Sequence, residues 1–469
     1  MKKFRNILTT TILSLIALSL YPQKMIVVKG VVEGVRFEKV SLITYADNFS
    51  QLKKELANVL TDENGKFLLT LQLPETTYAF LKVGLKKGEL YLKPGATYKL
   101  KIFPDTVTAG SVFDKTPLHF ELQADDGGLN EKIKQFNMLY NTFLMDNFRR
   151  IYLSRDKKAV DEFKVQIKEK FGDSAGAYFN IYVKYAVGQL IWLSKTKSLK
   201  VILKEYFIEN PIAYNNIQYA DFFKEFFKEY FNRYFYNKYF EQLQKAVYTA
   251  NVQLLDSVLK TDELLTQNKQ LYELALIQSS CKLFYDKNFS KKGALKLLKE
   301  IAKMSKFEIN RSIAGNYVKK LQWLMPGTEA PEINLPLANG KLLKKEDLKG
   351  SFTVLDFMKA DCNICLSHID FLKDINSKLG SKIKIVLLVY GDNSEKINQL
   401  MKKEGLDWPM LYVGKRTDIL ENYGVAVFPS YVILNPDGTI AQAPAAMPDE
   451  NMEQDLVRMI YHWKKKHHE

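Results

Sequence analysis

The sequence predicts an α/β C-terminal domain, preceded by a small all-β sandwich and an all-α middle region. Three observations predict this order: short β-prone runs fill residues 25–102, apolar residues recur at helical spacing over residues 129–325, and strand and helix patterns alternate from residue 326. Alternating strands and helices are typical of α/β domains. We therefore expect a leader at residues 1–24, the sandwich at 25–120, the helical domain at 121–325 and the α/β domain at 326–469.

The first 24 residues have the pattern of a secretory signal peptide. Lys2, Lys3 and Arg5 precede an apolar stretch at residues 7–20 that is interrupted only by Thr and Ser. This stretch is short for a transmembrane helix, and a charged start followed by a short apolar run directs export. The cleavage site is indistinct, so a cleaved leader and an uncleaved N-terminal anchor are both open.

Residues 25–120 are expected to form an antiparallel β-sandwich. The turn signals Asn64-Gly65 and Pro94-Gly95 separate several of its β-prone runs. These runs occupy residues 26–32, 39–45, 58–60, 67–73, 78–83, 89–92 and 97–102. The region contains no catalytic constellation, so its expected role is substrate docking or spacing.

The middle region contains two adjacent aromatic rows at i, i+4 spacing, which together make one broad apolar helix face. The rows are Phe222, Phe226, Tyr230 and Tyr234, and Phe223, Phe227, Phe231 and Phe235. The face is expected to be the core of a helical bundle, and the alternative is a groove for a partner polypeptide. Cys281, in an apolar helical pattern, is expected to be a buried small hydrophobe.

Cys362 and Cys365 open a predicted helix that follows a β-prone run at residues 352–358. Residues three apart in a first helical turn lie on one face, close enough for a disulfide. Unpaired backbone N–H groups and the helix dipole favour a thiolate at the first cysteine. Cys362 is therefore the expected nucleophile, and Cys365 the expected resolving thiol.

A Cys-x-x-Cys pair can also be half of a zinc site, which needs two more ligands. The other candidates contain no second pair at metal-ligand spacing: Cys281, His119, His368, His462, His467 and His468. We therefore expect neither a metal nor another cofactor.

The segment around the two cysteines resembles the active site of the thioredoxin family, and residues 326–469 resemble its TlpA/ResA-like branch. Asp356, six residues before Cys362, matches the family's buried aspartate, which assists proton transfer at the resolving cysteine. Val-Phe-Pro-Ser at residues 427–430 matches the cis-proline loop, which implies substrate binding at Phe428 and Pro429. Asn-Pro-Asp-Gly at residues 435–438 matches the turn before the last strand.

The chain departs from that family pattern at two positions. Asp361 stands where an aromatic residue usually precedes the first cysteine, and Asp370 where a helix-kinking proline is common. The charge of Asp361 is expected to raise the pKa of Cys362. His368 is expected to be a solvated helix residue. The turns at residues 62–67 and 92–95 resemble those of an uncharacterised β-sandwich domain that often precedes TlpA-like domains.

The resemblance implies an exported thiol-disulfide oxidoreductase of the periplasm or cell envelope. Such a protein reduces disulfides of envelope proteins and is kept reduced by a membrane electron donor of the thiol-reducing type. The rival hypothesis is an envelope binding or scaffold protein whose thioredoxin-like domain is a docking module. It is supported by the absence of recognisable chemistry in residues 25–325 and by the two departures.

The formal net charge of +15 raises the possibility of a nucleic-acid partner. The lysines, however, are spread along nearly every segment, and no nucleic-acid motif is present. We therefore expect solvated helix faces and no nucleic-acid partner. A weak attraction to anionic membrane surfaces or acidic partners is expected from the same charge.

Overall fold

A computed structural model describes residues 24–84, 86–103, 117–172, 176–337, 340–391, 394–414 and 416–467. The predicted signal peptide lies outside the described residues, apart from Lys24. Within the described ranges, no helix combines the length and the apolar character that a membrane crossing requires.

The N-terminal region is a sandwich of two four-stranded sheets, counted over the described residues. Its strands are β1 (Met25–Val32), β2 (Lys39–Tyr45), β3 (Lys53–Leu60), β4 (Lys66–Gln72), β5 (Thr77–Val83), β6 (Lys86–Leu92), β7 (Thr97–Ile102) and β8 (Phe120–Ala124). The sheet orders are β4-β1-β7-β8 and β3-β2-β5-β6, and both sheets contribute to one apolar core. Because β8 pairs with β7 as far as Ala124, we propose that the sandwich extends to residue 124 rather than 120.

The middle region is a layer of packed helices. They are α1 (Leu129–Asp146), α2 (Lys157–Phe171), α3 (Ala177–Leu193), α4 (Leu199–Ile202), α5 (Ile217–Phe231), α6 (Phe240–Thr249), α7 (Val252–Leu259), α8 (Lys269–Tyr285), α9 (Lys291–Met304) and α10 (Glu308–Gln322). Phe222, Phe223, Phe226 and Tyr230 of the aromatic rows are fully buried. The bundle-core interpretation is thus confirmed, and the partner groove is wrong because these rings already pack against other helices.

The loop between β2 and β3 inserts into this helical layer. Phe49 is buried there, with its ring centroid 5.3 Å from that of Phe223. The Tyr317 hydroxyl donates to the Phe49 carbonyl at 2.7 Å, and the Lys320 ammonium donates to the Ser50 carbonyl at 2.7 Å. Phe49 therefore belongs to the core of the helices, and this loop anchors the sandwich to them.

The C-terminal domain is built on a mixed five-stranded sheet. Its elements are β9 (Leu335–Pro336), β10 (Leu342–Leu343), β11 (Phe352–Lys359), α11 (Asn363–Leu379), β12 (Ile383–Tyr390), α12 (Ser394–Lys403), β13 (Met410–Tyr412), α13 (Thr417–Asn422), β14 (Ser430–Leu434), β15 (Ile440–Gln442) and α14 (Met452–His467). The sheet order is β13-β12-β11-β14-β15. The neighbours β11, β12 and β13 run parallel, and β14 runs antiparallel to β11 and to β15.

This topology confirms the α/β thioredoxin-like fold that the resemblance implied. The central strands β11 and β12 are buried along nearly their whole length, as expected for parallel strands covered on both faces. The short strands β9 and β10 pair antiparallel before them. Asn339, which lies between these two strands in the sequence, is outside the described residues.

Candidate active site

The two cysteines lie at the beginning of α11. Cys362 occupies the N-cap position, where its Sγ accepts a hydrogen bond from the Cys365 backbone N–H at 3.1 Å. The Sγ atoms are bonded at 2.13 Å, and the Cα atoms lie 5.2 Å apart. Cys362 is half-buried and Cys365 fully buried. An incoming group therefore meets Cys362 first.

Asp356 lies on β11 beneath this helix and is fully buried. It shares the alternating strand face of Val354 and Met358, which pack in the same apolar cluster as Cys365. Neither carboxyl oxygen has a hydrogen-bond partner among the described residues. Burial raises the pKa of Asp356 to about 8, so near neutral pH this carboxyl can accept and release a proton.

The predicted cis-proline loop has the expected backbone, since the Phe428–Pro429 peptide bond is cis. The Phe428 ring stacks on Tyr390 at the end of β12, with ring centroids 5.6 Å apart. The Lys359 ammonium, at the end of β11, lies 5.9 Å from the Phe428 ring centroid. Phe428 and Cys362 both pack against the core cluster that contains Cys365. The loop is therefore fixed at the same end of the sheet as the cysteines.

The expectation for His368 is wrong, because this residue is only 2 % exposed. Its Nδ1 lies 3.0 Å from the Tyr431 hydroxyl, and its Nε2 lies 3.5 Å from an Asp449 carboxylate oxygen. Position 368 lies between the apolar residues Cys365 and Ile369 on the buried helix face, which is the sequence signal that could have revealed it. Its partners, on β14 and just before α14, could not be identified from spacing.

Asp361 and Asp370 are both exposed. Solvent weakens the effect of an exposed charge on its neighbours, and the expected effect of Asp361 on the pKa of Cys362 stays a prediction. Cys281 is buried, as expected, and burial raises the pKa of its thiol to about 12, which makes it a poor nucleophile. Over the described part of the chain, no group of three or more His, Cys, Asp or Glu side chains could hold a metal ion.

Residues 326–443 match the model of the AhpC/TSA family, a range that includes both cysteines, Asp356 and the cis-proline loop. The thiol-disulfide oxidoreductase ResA of Bacillus subtilis is 26% identical over 135 residues, or 29% of this chain and 75% of ResA. A putative peroxiredoxin of Coxiella burnetii is 35% identical over 103 residues, or 22% of this chain and 67% of that protein.

Solved structures of similar proteins were also found. The thioredoxin domain of a thiol-disulfide oxidoreductase from Bacteroides vulgatus is 22% identical, and the match covers 30% of this chain and 97% of that domain, with a TM-score of 0.25. A putative thiol:disulfide interchange protein DsbE from Chlorobium tepidum is 18% identical over 29% of this chain and 98% of that structure, with a TM-score of 0.26.

Proposed function

Because the chain belongs, through its thioredoxin-like C-terminal domain, to the AhpC/TSA family, we propose that it is an exported thiol-disulfide oxidoreductase that reduces disulfides of envelope proteins. The observation that carries the proposal is the Cys362–Cys365 disulfide at a helix N-terminus. The Cys362 sulfur is accessible, whereas Cys365 is buried in the apolar cluster that also contains the neighbours of Asp356 on its strand face. Because one sulfur is accessible and the other is buried, the pair is suited to thiol-disulfide exchange in two steps, in which first Cys362 and then Cys365 attacks.

In the first step, the Cys362 thiolate of the reduced protein attacks a client disulfide. A Cys362–client bond forms, the client disulfide breaks, and one client sulfur leaves as a thiolate that takes a proton from solvent. The Cys365 N–H, which donates to Cys362 Sγ at 3.1 Å, and the positive end of the α11 dipole stabilise the attacking thiolate. Cys362 acts first because it is the accessible sulfur.

In the second step, Asp356 acts as the base for Cys365. The ionised carboxylate takes the Cys365 proton, the Cys365 sulfur attacks Cys362, and the second client sulfur leaves. The protein gains a disulfide and the client gains two thiols, so two electrons pass to the client. The raised pKa of Asp356, about 8, suits a base that must also release its proton.

Client binding is assigned to the cis-proline loop and the apolar surface around it. Pro429 cannot donate a backbone hydrogen bond, and Phe428, fixed by Tyr390, orients the loop for an extended peptide. Ile364, between the cysteines, is 59% exposed, and Val427, before the cis bond, is 48% exposed. Exposed apolar residues beside a reactive sulfur favour an unfolded or partly unfolded protein as the client.

The envelope location rests on the charged and apolar leader pattern of residues 1–24 and on the resemblance to envelope redox proteins. Each turnover leaves the protein oxidised, so sustained reduction needs an external dithiol donor, which we propose is a membrane protein. The net charge of +15 supports weak contact with an anionic membrane surface close to such a donor.

Trapping tests this function. Cys365→Ala should stop the reaction at the mixed disulfide and accumulate a covalent adduct with a reducible protein, which wild type releases. Cys362→Ser should form no adduct and should lose disulfide reductase activity. Equal reductase rates for wild type and Cys362→Ser would instead support the scaffold hypothesis, in which the domain only docks.

A second candidate, peroxide reduction, is favoured by the 35% identity to a putative peroxiredoxin. Here Cys362 would attack a peroxide oxygen and become a sulfenic acid with loss of water, and Cys365 would then close the disulfide with loss of a second water. The two functions are compared by measuring the rate at which the reduced protein is oxidised in a single turnover, once by hydrogen peroxide and once by a peptide disulfide. A faster reaction with peroxide would replace the disulfide reductase proposal.

A further inference from the structure

His368 connects two side chains that neither the motif nor the reaction above uses. It is nearly fully buried between Tyr431 of β14 and Asp449, whose side chain is 42% exposed. A carboxylate can only accept, so we assign a ring proton to Nε2, which lies 3.5 Å from Asp449, and this assignment leaves Nδ1 to accept from the Tyr431 hydroxyl at 3.0 Å. The three groups thus form a polar row that leads from the interior to the surface.

Tyr431 also lies directly opposite Asp356 in the antiparallel pair of β11 and β14. Side chains opposite each other in such a pair project from the same face of the sheet, with Cβ atoms about 5 Å apart. On the other side of β11, Asp356 pairs with Leu387, which offers no polar atom. The charge of Asp356 contributes to the raised pKa of Tyr431, after burial, so the two side chains are electrostatically coupled.

A base in the position of Asp356 has to exchange its proton with solvent once per turnover. Both carboxyl oxygens are buried and unpartnered among the described residues, so no direct route is present on its own strand. The cross-strand phenol is the polar group nearest to it in register, and beyond that phenol the row reaches an exposed carboxylate.

We propose that His368 and Tyr431 are positioning residues of the redox site, and that they conduct the proton of Asp356 to Asp449 at the surface. This inference rests on the proposed disulfide exchange. After Asp356 has taken the Cys365 proton, it passes that proton to the Tyr431 oxygen, Tyr431 gives its own proton to Nδ1, and Nε2 releases a proton to Asp449. One proton enters at Cys365 and one leaves to solvent, with no electron moved along the row.

The disulfide form has no hydrogen bond between Asp356 and Tyr431. The first transfer therefore requires one of the two side chains to turn after Asp356 becomes protonated and can itself donate. The titratable groups that face His368 are Tyr431 from β14, Asp449 from the segment before α14, and Cys365 from its own helix, while Asp356 lies beyond Tyr431 on β11. The Phe371 ring packs at its edge and carries no charge.

The test uses the full-length protein, a dithiol donor that re-reduces it, and a peptide disulfide with a different fluorophore on each half, so that each molecule turns over repeatedly and Asp356 must lose its proton before the next Cys365 step. Release of the first half reports the attack by Cys362, and release of the second half reports the Cys365 step. His368→Gln and Tyr431→Phe should each slow only the second release, by roughly tenfold, which is less than the roughly 10²- to 10⁴-fold contribution of a residue that exchanges a proton with the reacting group itself. The double variant should be no slower than either single variant, because both act in one path.

Three comparisons separate conduction from a structural role. In an Asp356→Asn background, His368→Gln should cause no further loss; a loss as large as in wild type would overturn the proposal. The solvent deuterium isotope effect on the second release should rise in Tyr431→Phe, and an unchanged effect would also overturn it. Asp370→Asn, an exposed change on the same helix, is the matched control and should leave both releases unchanged. If wild type released neither half, the proposed function itself would fail.

Discussion

Glu421 of α13 lies 2.9 Å from the Lys87 ammonium on β6, so an ion pair joins the redox domain to the sandwich. Lys82 on β5 and Lys53 on β3, two other strands of the same sheet, lie 3.3 Å and 3.8 Å from the same carboxylate. Burial disfavours ionisation of Glu421, but these three ammonium groups outweigh it and hold its pKa below the ordinary range. The redox domain is therefore held at the helix that directly precedes the cis-proline loop.

Glu421→Gln should lower the free energy of unfolding by roughly 1–3 kcal/mol, because it leaves the largely buried Lys82 without its counter-charge. Since the folded-state pKa of Glu421 is lowered, its stabilisation is present at neutral pH and is lost as the pH falls below about 4.3, the ordinary glutamate value. Urea unfolding at pH 7 and pH 3 measures this. Glu33→Gln, which breaks the exposed ion pair with Lys101, is the control. An equal loss of stability in this control would show that the Glu421 ion pairs do not hold the redox domain to the sandwich.

Local patterns in the sequence predicted most of the strands and the redox helix, whereas β8 was not predicted and β3 was predicted only over residues 58–60. The cis-proline loop was implied by the resemblance. Each depends on residues close in the chain: the apolar run of β11, the three-residue spacing of Cys362 and Cys365, and the Phe428-Pro429 dipeptide. The sulfur geometry and the cis bond agree with what the resemblance implied. Secondary structure of this kind can be predicted because it depends mainly on the periodicity of apolar residues that are close in the chain.

Contacts between distant segments could not be predicted in this way. His368 is buried only because Tyr431 and Asp449 approach it from elsewhere in the chain, and Glu421 is paired only because the sandwich lies against α13. A histidine or a glutamate has no local signature of such partners. The assignment of His368 to solvent failed for this reason, since a polar residue beside an apolar helix stripe suits either environment.

Asp356→Asn should stabilise the oxidised protein at neutral pH. The folded-state pKa of Asp356, about 8, lies above the value near 3.9 expected in the unfolded chain, so stability falls as the pH rises from about 4 to about 8. Asparagine cannot ionise and removes this loss. We expect a gain of roughly 2–4 kcal/mol at pH 7 and little difference at pH 4.

Urea unfolding of the two proteins across this pH range measures the effect of Asp356. Asp374→Asn, an exposed change on α11, is the control and should give parallel curves. A wild-type curve that does not fall relative to Asp356→Asn between pH 4 and pH 8 would contradict the raised pKa. The expected gain in stability, together with a slower Cys365 step, would identify Asp356 as a residue retained for chemistry.

Phe49→Ala should destabilise the joint between the sandwich and the helices. Phe49 is 2 % exposed and packs edge-on against Tyr214, Tyr219 and Phe223. Truncation leaves a cavity among these rings, for which we expect a loss of about 3–5 kcal/mol in the free energy of unfolding. Tyr248→Ala, at a ring that is 85% exposed, should change stability by less than about 0.5 kcal/mol. Equal losses would show that the loop is not a structural anchor.

Phe428→Ala should weaken client binding more than it slows the exchange chemistry. The ring is fixed by Tyr390 at 5.6 Å and by Lys359 at 5.9 Å, and it presents apolar surface next to Pro429. Its loss should raise KM for a disulfide-containing peptide roughly tenfold, with kcat changed by less than about twofold, because both sulfurs and Asp356 are unaltered. Steady-state reduction kinetics measure both constants, with Tyr461→Ala, an exposed aromatic on α14, as the control. A tenfold fall in kcat at constant KM would contradict a binding role, since it would place the ring's contribution in the transition state rather than in client recognition.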